Sequence, residues 1–335
     1  TAPTLSSPAM KDVGIVGMPY SGKSTLFTAL TRSGGAGGRS NQAVVDVPDE
    51  RLGVLAGIES SKKVVHAKVR FVDVPGGLTA QGMAEFRQTD ALAMVVRGFG
   101  EDADPAGELN SLEAEMLLAD LASIESGLEK AKKKARSQAD AKIEAEVLEV
   151  AHSHLDAERL LRDAPLDDEA RKVLRGYGPL TLKPWIVVAN VGEGEPVPEG
   201  LPEGTIAMSA ALEAEVAGID EAEAKELLEG FGIEEPGLDR VIGASYRALD
   251  LITFLTTGED ETRAWEVRQG AKAPEAAGVI HSDLERGFIR AEVVGYDELV
   301  EAGSWDKSKA KGTLRVEGKD YLVHEGDVMN IRFAV

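Results

Sequence analysis

A lysine and a serine that directly follow a glycine carry the clearest chemistry in this sequence, as Gly22-Lys23-Ser24. Gly17 stands upstream at the spacing Gly-x4-Gly-Lys-Ser, which is typical of a phosphate-binding loop. Backbone N–H groups of such a loop point at the phosphates, Lys23 would reach the β- and γ-phosphates, and the Ser24 hydroxyl would ligate Mg²⁺. The pattern predicts nucleotide binding rather than a solvated glycine turn, with Lys23 as the catalytic residue. The loop residues predicted to bind the nucleotide are Tyr20, Ser21, Gly22, Lys23, Ser24 and Thr25.

An aspartate at the end of an alternating apolar stretch supplies a second candidate for the metal. The stretch runs from Ala67 to Val72, and Asp73 is followed three residues later by Gly76. In P-loop NTPases an aspartate at the carboxyl end of a strand holds Mg²⁺ from the side opposite the loop serine. The Asp-x-x-Gly spacing also suits a turn, but its position one strand after the loop favours the metal site. We therefore predict Ser24 and Asp73 as Mg²⁺ ligands and Gly76 N–H as a contact to the γ-phosphate.

A third group of residues could determine which nucleotide base the site accepts. Asn190 ends an apolar run, and Glu193 stands three residues further on, where P-loop GTPases have an aspartate. Guanine offers that aspartate two hydrogen-bond donors, its ring N–H and its exocyclic amine. Glu193 is one methylene longer, so its carboxylate would be misplaced for this pair of donors and the preference for guanine should be lost. Adenine has no such donor pair. The sequence thus predicts ATP as the ligand, with GTP possible but not preferred; for Asn190 a plain turn role is the alternative. The predicted base contacts are Asn190, Val191, Glu193, Ser209 and Ala210.

The elements that must position these residues alternate between strand and helix. Val13–Val16 precedes the loop and Leu26–Leu30 follows it, and the later apolar runs continue a βαβ order that predicts a mostly parallel sheet. A glycine-rich stretch, Ser33 to Gln42, is either a mobile switch loop beside the phosphates or a plain connector. Glu215 to Leu228 reads as one acidic helix.

A long helical segment interrupts this alternation between residues 107 and 176. Apolar residues recur at helical spacing on both sides of a polar break at Ser137–Asp140, which predicts an antiparallel hairpin. Its tip, Glu129 to Lys142, holds six basic and two acidic residues. The tip is either an RNA contact or a solvated arm. The apolar positions are Leu117, Leu121, Ile124, Leu128, Ile143, Val147 and Val150.

Beyond residue 250 the chain alternates in short strands around one helix, at about Pro274 to His281, which predicts a small α+β unit. The predicted domains are 10–106 with 177–250, then the insert 107–176, and finally 251–335.

Composition narrows the class of protein. A hydrophobic content of 43% with 28% charged residues is ordinary for a globular protein, and no run is long enough for a membrane helix. A net charge of −21 argues against general nucleic-acid binding, so no DNA partner is expected. The absence of cysteine fits a reducing cytoplasm. Thr1–Ala9 reads as a loose extension before Met10.

Taken together, these stretches resemble the YchF type of Obg-like ATPases. The match runs through Gly14–Leu30, Phe71–Asp73 and Asn190–Glu193, and it is closest in Gly287–Val293 and Glu317–Tyr321. The resemblance implies a P-loop NTPase domain of the Ras-like α/β class, a coiled-coil insert, and a C-terminal TGS domain with a ubiquitin-like β-grasp fold. It also implies ATP preference and association with ribosomes.

The chain departs from that family at three places. Tyr20 stands where members usually have an asparagine that can help hold a monovalent cation. The stretch Gly34–Asn41 lacks a threonine that can complete Mg²⁺ coordination, and Gly98–Gly107 lacks the family's catalytic histidine. Gly77-Leu78 also offers no water-orienting glutamine. Two functions stay open: a slow ATPase acting as a ribosome-associated switch, or a nucleotide-gated ribosome- or RNA-binding module with vestigial hydrolysis.

Overall fold

A computed structural model of the chain describes residues 10–33, 41–74, 76–138 and 140–334. Residues 34–40 of the predicted switch loop and the predicted extension Thr1–Ala9 lie outside this range. The described chain divides into two compact units. The first unit comprises the described residues of Asp12–Val45 and Arg70–Val241. The second unit comprises Met10, Lys11 and the described residues of Asp46–Val69 and Ile242–Val335. The predicted three-domain division stays a prediction.

The regular elements follow one another closely along the chain. The first thirteen are β1 (Asp12–Gly17), α1 (Lys23–Ser33), β2 (Gln42–Asp46), α2 (Arg51–Glu59), β3 (Val64–Val65), β4 (Lys68–Asp73), α3 (Ala80–Phe86), β5 (Ala91–Arg97), α4 (Pro105–Lys134), α5 (Asp140–Asp156), α6 (Asp168–Arg175), β6 (Trp185–Asn190) and β7 (Ile206–Met208). The remainder are α7 (Ala210–Val216), α8 (Glu221–Gly230), α9 (Gly237–Ala248), β8 (Leu251–Thr256), β9 (Thr262–Arg268), α10 (Ala273–Ile280), α11 (Ser282–Arg286), β10 (Phe288–Gly295), α12 (Tyr296–Ala302), α13 (Trp305–Lys311), β11 (Arg315–Glu317) and β12 (Asp327–Phe333).

The sheet of the first unit has the strand order β2-β4-β1-β5-β6-β7. The pairs β1–β4, β1–β5, β5–β6 and β6–β7 are all parallel, which confirms the predicted α/β class with a mostly parallel sheet. The register sets Gly17 beside Val95 and Arg97 beside Asn190. The carboxyl ends of β1, β4, β5 and β6 therefore share one edge of the sheet, where ligands of open α/β sheets bind.

The helical insert is a hairpin built from α4 and α5, as predicted. The first half of α4 packs on the sheet through Leu109, Leu112 and Met116, and its second half packs on α5. Ile124 is fully buried at this second contact.

The predicted apolar face of α5 is confirmed at Val147, which packs against the buried core of the hairpin, and is wrong at its other two positions. Ile143 and Val150 are 61% and 47% exposed, and the side chains that face α4 are mostly alanines with two leucines. Small residues let two helix backbones approach closely, so the buried face of α5 carries little of the hydrophobic bulk that the pattern followed. The buried residues of α5 are Ala141, Ala145, Leu148, Ala151 and Leu155.

The single acidic helix predicted from Glu215 to Leu228 is also wrong. Helix α7 ends at Val216, and α8 begins after Asp220, whose side chain accepts the Ala222 N–H at 3.0 Å. An aspartate that caps a helix N-terminus starts a new helix and does not continue the old one. The two helices still pack together through Leu212, Val216 and Leu228.

The second unit contains a mixed sheet of order β11-β10-β12-β8-β9-β3. Strands β12 and β8 pair in parallel at its centre, and their outer neighbours β10 and β9 run antiparallel to them. This arrangement is that of a β-grasp sheet, and α10 packs on it with Ala273, Ala276 and Ala277 fully buried. No described helix is long and apolar enough to cross a membrane.

Candidate functional site

The loop between β1 and α1 has the wrapped backbone that a phosphate-binding loop requires. Tyr20 and Gly22 take left-handed φ values of 66° and 97°. A Cβ at Gly17 would collide with the carbonyl of Val95, and one at Gly22 would collide with the Asn190 amide. Both glycines are therefore needed for the backbone to lie this close to its neighbours.

Lys23 lies across this loop. Its Nζ donates to the carbonyl of Gly17 at 2.9 Å and to that of Met18 at 2.7 Å. Desolvation lowers the pKa of Lys23, while the charges of Asp73 and Glu108 oppose that shift. The ammonium group is thus held at the mouth of the loop by two carbonyl oxygens, and the charges of Asp73 and Glu108 favour its protonated form.

The predicted metal ligands lie on two elements at the same sheet edge. Ser24 is exposed in the first turn of α1. Asp73 ends β4, paired in register with Ile15. Burial raises the pKa of Asp73, and the charge of Lys23 partly opposes this. A hydroxyl and a carboxylate are hard oxygen donors of the kind that Mg²⁺ prefers, so these side chains fit the ion.

The segment after Asp73 is a tight turn. Gly76 and Gly77 have φ values of 84° and 52°. The Gly76 carbonyl accepts the Thr79 N–H at 3.1 Å, and the Thr79 hydroxyl caps α3 by accepting from the Gly82 N–H at 3.3 Å. The turn therefore places Gly76 three residues before Thr79, the N-cap of α3.

Asn190 connects the loop to the base end of the site. Its Nδ2 donates to the Ser21 carbonyl at 3.0 Å, and its Oδ1 accepts from the Ala210 N–H at 3.0 Å. The side chain is 6% exposed, so these bonds fix its position. An amide has two donor hydrogens and two acceptor lone pairs, so one of each stays available to a ligand.

These elements surround an open cleft of about 690 Å³. Most of the predicted site residues line it, whereas Ser21, Asp73, Gly76 and Ala210 do not. The Ser21 side chain is fully buried, and its hydroxyl has no partner among the described residues. The cleft residues are Tyr20, Gly22, Lys23, Ser24, Thr25, Arg97, Phe99, Asn190, Val191, Gly192, Glu193, Ser209 and Ala211.

Arg97 and Phe99 line the cleft without having been predicted. The Arg97 guanidinium reaches Asp102 at 3.1 Å and Glu108 at 3.6 Å, and the Arg97 N–H donates to Glu108 at 2.9 Å. Arg97 ends β5, the neighbour of β1, so its place at the carboxyl edge of a parallel sheet was the available signal. The loop that follows β5 contains no histidine. The two histidines of the first unit, His152 and His154, both lie on α5.

A second cavity of about 470 Å³ adjoins the cleft at Val191, Gly192 and Ser209. Glu213 lies at its wall, 3% exposed, and accepts the Gly237 N–H at 2.5 Å. Burial raises the pKa of Glu213, against the lowering effect of its backbone hydrogen bonds. This carboxyl anchors the start of α9 beside the base end of the cleft.

Two family models match the chain. One described as "50S ribosome-binding GTPase" matches residues 12–111. The YchF-GTPase C-terminal model, described as "Protein of unknown function (DUF933)", matches residues 251–334. The two matches cover the P-loop region and the β-grasp region separately.

Full-length relatives carry one common name, "Ribosome-binding ATPase YchF". The relative from Haemophilus ducreyi is 41% identical, with 96% of this chain and 99% of the relative covered. The relative from Bacillus subtilis is 37% identical over the same shares. Among solved structures, the Schizosaccharomyces pombe YchF GTPase superposes with a TM-score of 0.88 at 30% identity, covering 96% of this chain and 97% of that one.

Proposed function

This chain belongs to the YchF family, and on that basis we propose that it is a P-loop ATPase of low intrinsic rate whose nucleotide state controls its association with ribosomes. The observation that carries the proposal is the position of Lys23, whose ammonium lies on the Gly17 and Met18 carbonyls at the mouth of a cleft shared with Asn190 and Glu193. Association with ribosomes would support a cytoplasmic location.

Each loop residue has a role that follows from its place. Lys23 exchanges its carbonyl partners for phosphate oxygens and neutralises their charge. The N–H groups from Gly22 to Thr25, at the start of α1, have no backbone acceptor among the residues that the structure describes, and they are available to donate to phosphate. Asn190 fixes the phosphate-binding loop by donating a hydrogen bond to the Ser21 carbonyl.

Mg²⁺ would be held by the Ser24 hydroxyl and the Asp73 carboxylate, and when bound it would supply charge neutralisation between the phosphates. Burial raises the pKa of Asp73, because the charged carboxylate loses hydration there. A divalent cation would compensate for that loss, which supports the assignment.

Calorimetric titration with ATP and Mg²⁺ tests the proposal. Wild type should bind, and Lys23→Ala should lose at least tenfold in affinity, because a hydrogen bond to a charged group contributes about 1.5–3 kcal/mol. Thr28→Ala, one turn beyond the loop on the same helix, is the control and should bind as wild type does. Equal affinity of wild type and Lys23→Ala would remove the site.

A second function is favoured by one observation: no histidine or glutamine side chain lines the cleft among the described residues. A site that binds ATP but orients no water would act as a nucleotide-gated binding module. Single-turnover release of phosphate, with and without ribosomes, separates the two functions. A rate that ribosomes raise above the Lys23→Ala background supports the ATPase, and a rate equal to that background supports the module.

A further inference from the structure

The helical hairpin contains a cavity of its own, far along α4 from the nucleotide cleft. Its volume is about 270 Å³, and it lies between α4, α5 and the segment that follows α6. Most of its lining comes from one face of α4, at positions three and four residues apart. The lining residues are Ser123, Ser126, Gly127, Lys130, Ala131, Lys134, Glu144 and Tyr177.

Two lysines at the cavity are uncompensated. Lys130 and Lys134 are exposed and one helical turn apart, and neither makes an ion pair with any carboxylate that the structure describes. Lys132, between them in sequence, points elsewhere and pairs with Glu149 at 2.8 Å. Of the six basic residues of the hairpin tip, one is therefore neutralised by Glu149, and two carry their charge at the cavity.

The opposite wall is polar but satisfied. The Tyr177 hydroxyl donates to Glu144 Oε1 at 2.5 Å. Burial, followed by this hydrogen bond, raises the pKa of Tyr177 to about 12, so the phenol keeps its proton at neutral pH. Glu144 thus has a donor within the chain, and its charge opposes an entering anion less than a free carboxylate would.

The glycine at position 127 allows Tyr177 to form this wall of the cavity. A Cβ there would lie 2.5 Å from the Tyr177 ring, so the ring packs directly against the α4 backbone. The hydroxyls of Ser123 and Ser126 stand on the same side of α4 and add donors beside the lysines.

We propose that this cavity, formed by Lys130, Lys134, Ser123, Ser126 and Tyr177, binds a backbone phosphate of ribosomal RNA. The inference rests on the proposed ribosome association and names the surface that carries it. Lysine ammonium groups bind phosphate as point charges, and hydroxyl groups complete such contacts. Phosphate contacts of this kind fix position without reading sequence.

The test compares two double variants of the full chain with the same change in charge. Lys130→Ala/Lys134→Ala removes the cavity cations, and Lys132→Ala/Lys133→Ala removes two neighbours that do not line the cavity. Co-sedimentation with purified 70S ribosomes is measured in ATP and Mg²⁺ from about 50 to about 200 mM salt. ATP affinity, by calorimetry, should be unchanged in both variants and shows that both fold.

The cavity variant should bind ribosomes roughly tenfold more weakly at low salt, with a salt slope flatter by about one unit for each lost phosphate contact. The control variant should keep most of the wild-type affinity and slope. Equal loss in both variants, or no loss in the cavity variant, overturns the inference. If wild type itself fails to sediment with ribosomes, the ribosome part of the proposed function falls and the site falls with it.

Competition identifies the ligand chemistry. A short single-stranded RNA should displace wild type from ribosomes more effectively than polyglutamate of equal charge, and the cavity variant should lose this difference. Displacement by polyglutamate alone would mean that the surface contacts an acidic protein segment, which also overturns the assignment to RNA.

Discussion

Tyr20 is the residue where this loop departs most from ordinary backbone geometry. It has a φ of 66° and its side chain is 91% exposed. A side chain other than glycine costs about 1–2 kcal/mol in the left-handed region, because the Cβ approaches the following carbonyl oxygen. Strain of this kind is found mostly at functional sites, and Tyr20 lines the predicted nucleotide cleft.

Replacing Tyr20 should therefore reverse the usual order of alanine and glycine. We expect Tyr20→Gly to be more stable than Tyr20→Ala by about 1 kcal/mol, because both remove the ring but only glycine relieves the Cβ contact. Urea unfolding of the two variants measures the difference. A Tyr20→Ala variant as stable as Tyr20→Gly would show that the position is not held in the left-handed region.

Glu193 is the residue on which base choice depends. It is exposed at the cleft, and its carboxylate makes no hydrogen bond with any described residue. We predict that ATP binds at least as well as GTP, and that Glu193→Asp shifts the ratio toward GTP by about fivefold or more, since a well-placed double hydrogen bond contributes about 1–3 kcal/mol of discrimination. Competition of both nucleotides for one fluorescent analogue gives the ratio.

Glu195→Asp is the matched control for that shift. It makes the same chemical change two residues away, at a side chain that accepts the Gly192 N–H at 3.0 Å and does not line the cleft. A strong GTP preference in wild type, or an equal shift in the control, would contradict the role given to Glu193.

Several site residues could be predicted from sequence because their spacing is local. Gly17 to Thr25 is a continuous motif, and Asp73 and Asn190 each end a strand of a parallel sheet, whose carboxyl ends meet at one edge. Arg97 also ends such a strand, but an arginine there has no motif to distinguish it. The contacts of Asn190 with Ser21 and Ala210 join residues far apart in sequence, so no local pattern contains them.

At the scale of elements, one buried ion pair joins α3, α4 and the segment before β6. Asp120 on α4 is fully buried and accepts from Arg87 at 2.7 Å, where α3 ends. It also accepts the N–H groups of Leu180 and Thr181 and the Thr181 hydroxyl, at 3.0, 2.7 and 2.8 Å. The pair thus fixes the hairpin helix to the helix that follows the Gly76 turn.

Removing both partners of this pair should cost less than the two single removals added together. We expect Arg87→Ala to destabilise the protein by about 3–5 kcal/mol, because it leaves a buried carboxylate without its cation. The double variant Arg87→Ala/Asp120→Ala should lose clearly less than the sum of the two single changes. Urea unfolding of the four proteins in the cycle measures the coupling.

The pair Arg162–Glu113 provides the comparison on the same helix. It is 3.4 Å long, and both side chains are about one-third exposed. Exposed pairs contribute about 1 kcal/mol or less, so Glu113→Ala should change stability little. Equal losses of stability in Glu113→Ala and Asp120→Ala would show that burial does not determine the strength of the Arg87–Asp120 pair.

The elements also show where periodicity fails as a guide. It identified both arms of the hairpin and the break between them, but on α5 it followed Ile143 and Val150, which are exposed, and missed Ala145 and Leu148, which are buried. Alanine carries little weight in a hydrophobic pattern, although its small size is what close helix contact requires. Packing against α4 determines which face of α5 is buried, and the spacing of apolar residues along α5 does not contain that information.

For the whole molecule, charge is distributed very unevenly. The chain carries a net charge of −21, yet Lys130 and Lys134 stand together without ion-pair partners among the described residues. A strongly acidic protein repels nucleic acid in most orientations, so a local basic site restricts which surface can approach RNA. Electrostatics at this scale favours one orientation on the ribosome over general adhesion.

Also at this scale, the β-grasp region is completed by a segment from far earlier in the chain. Strand β3 pairs with β9 in the register Val64–Thr262 and Val65–Arg263. The Ser61 hydroxyl donates to the Gly258 carbonyl at 2.7 Å, and Arg51 of α2 pairs with Glu325 at 2.6 Å. The second unit therefore includes 46–69, which the predicted boundary at residue 251 leaves out.

We therefore predict that a fragment of residues 251–335 is less stable than the same fragment joined to residues 46–69 through a flexible glycine-serine linker. Without β3, the backbone of β9 becomes a free sheet edge, which is prone to pair with other chains. The shorter fragment should also lose the Arg51–Glu325 pair. Thermal unfolding by circular dichroism, with ultracentrifugation to detect self-association, compares the two. A fragment 251–335 that is monomeric and unfolds at the same temperature as the linked form would show that the C-terminal domain folds independently, as the predicted boundary implies.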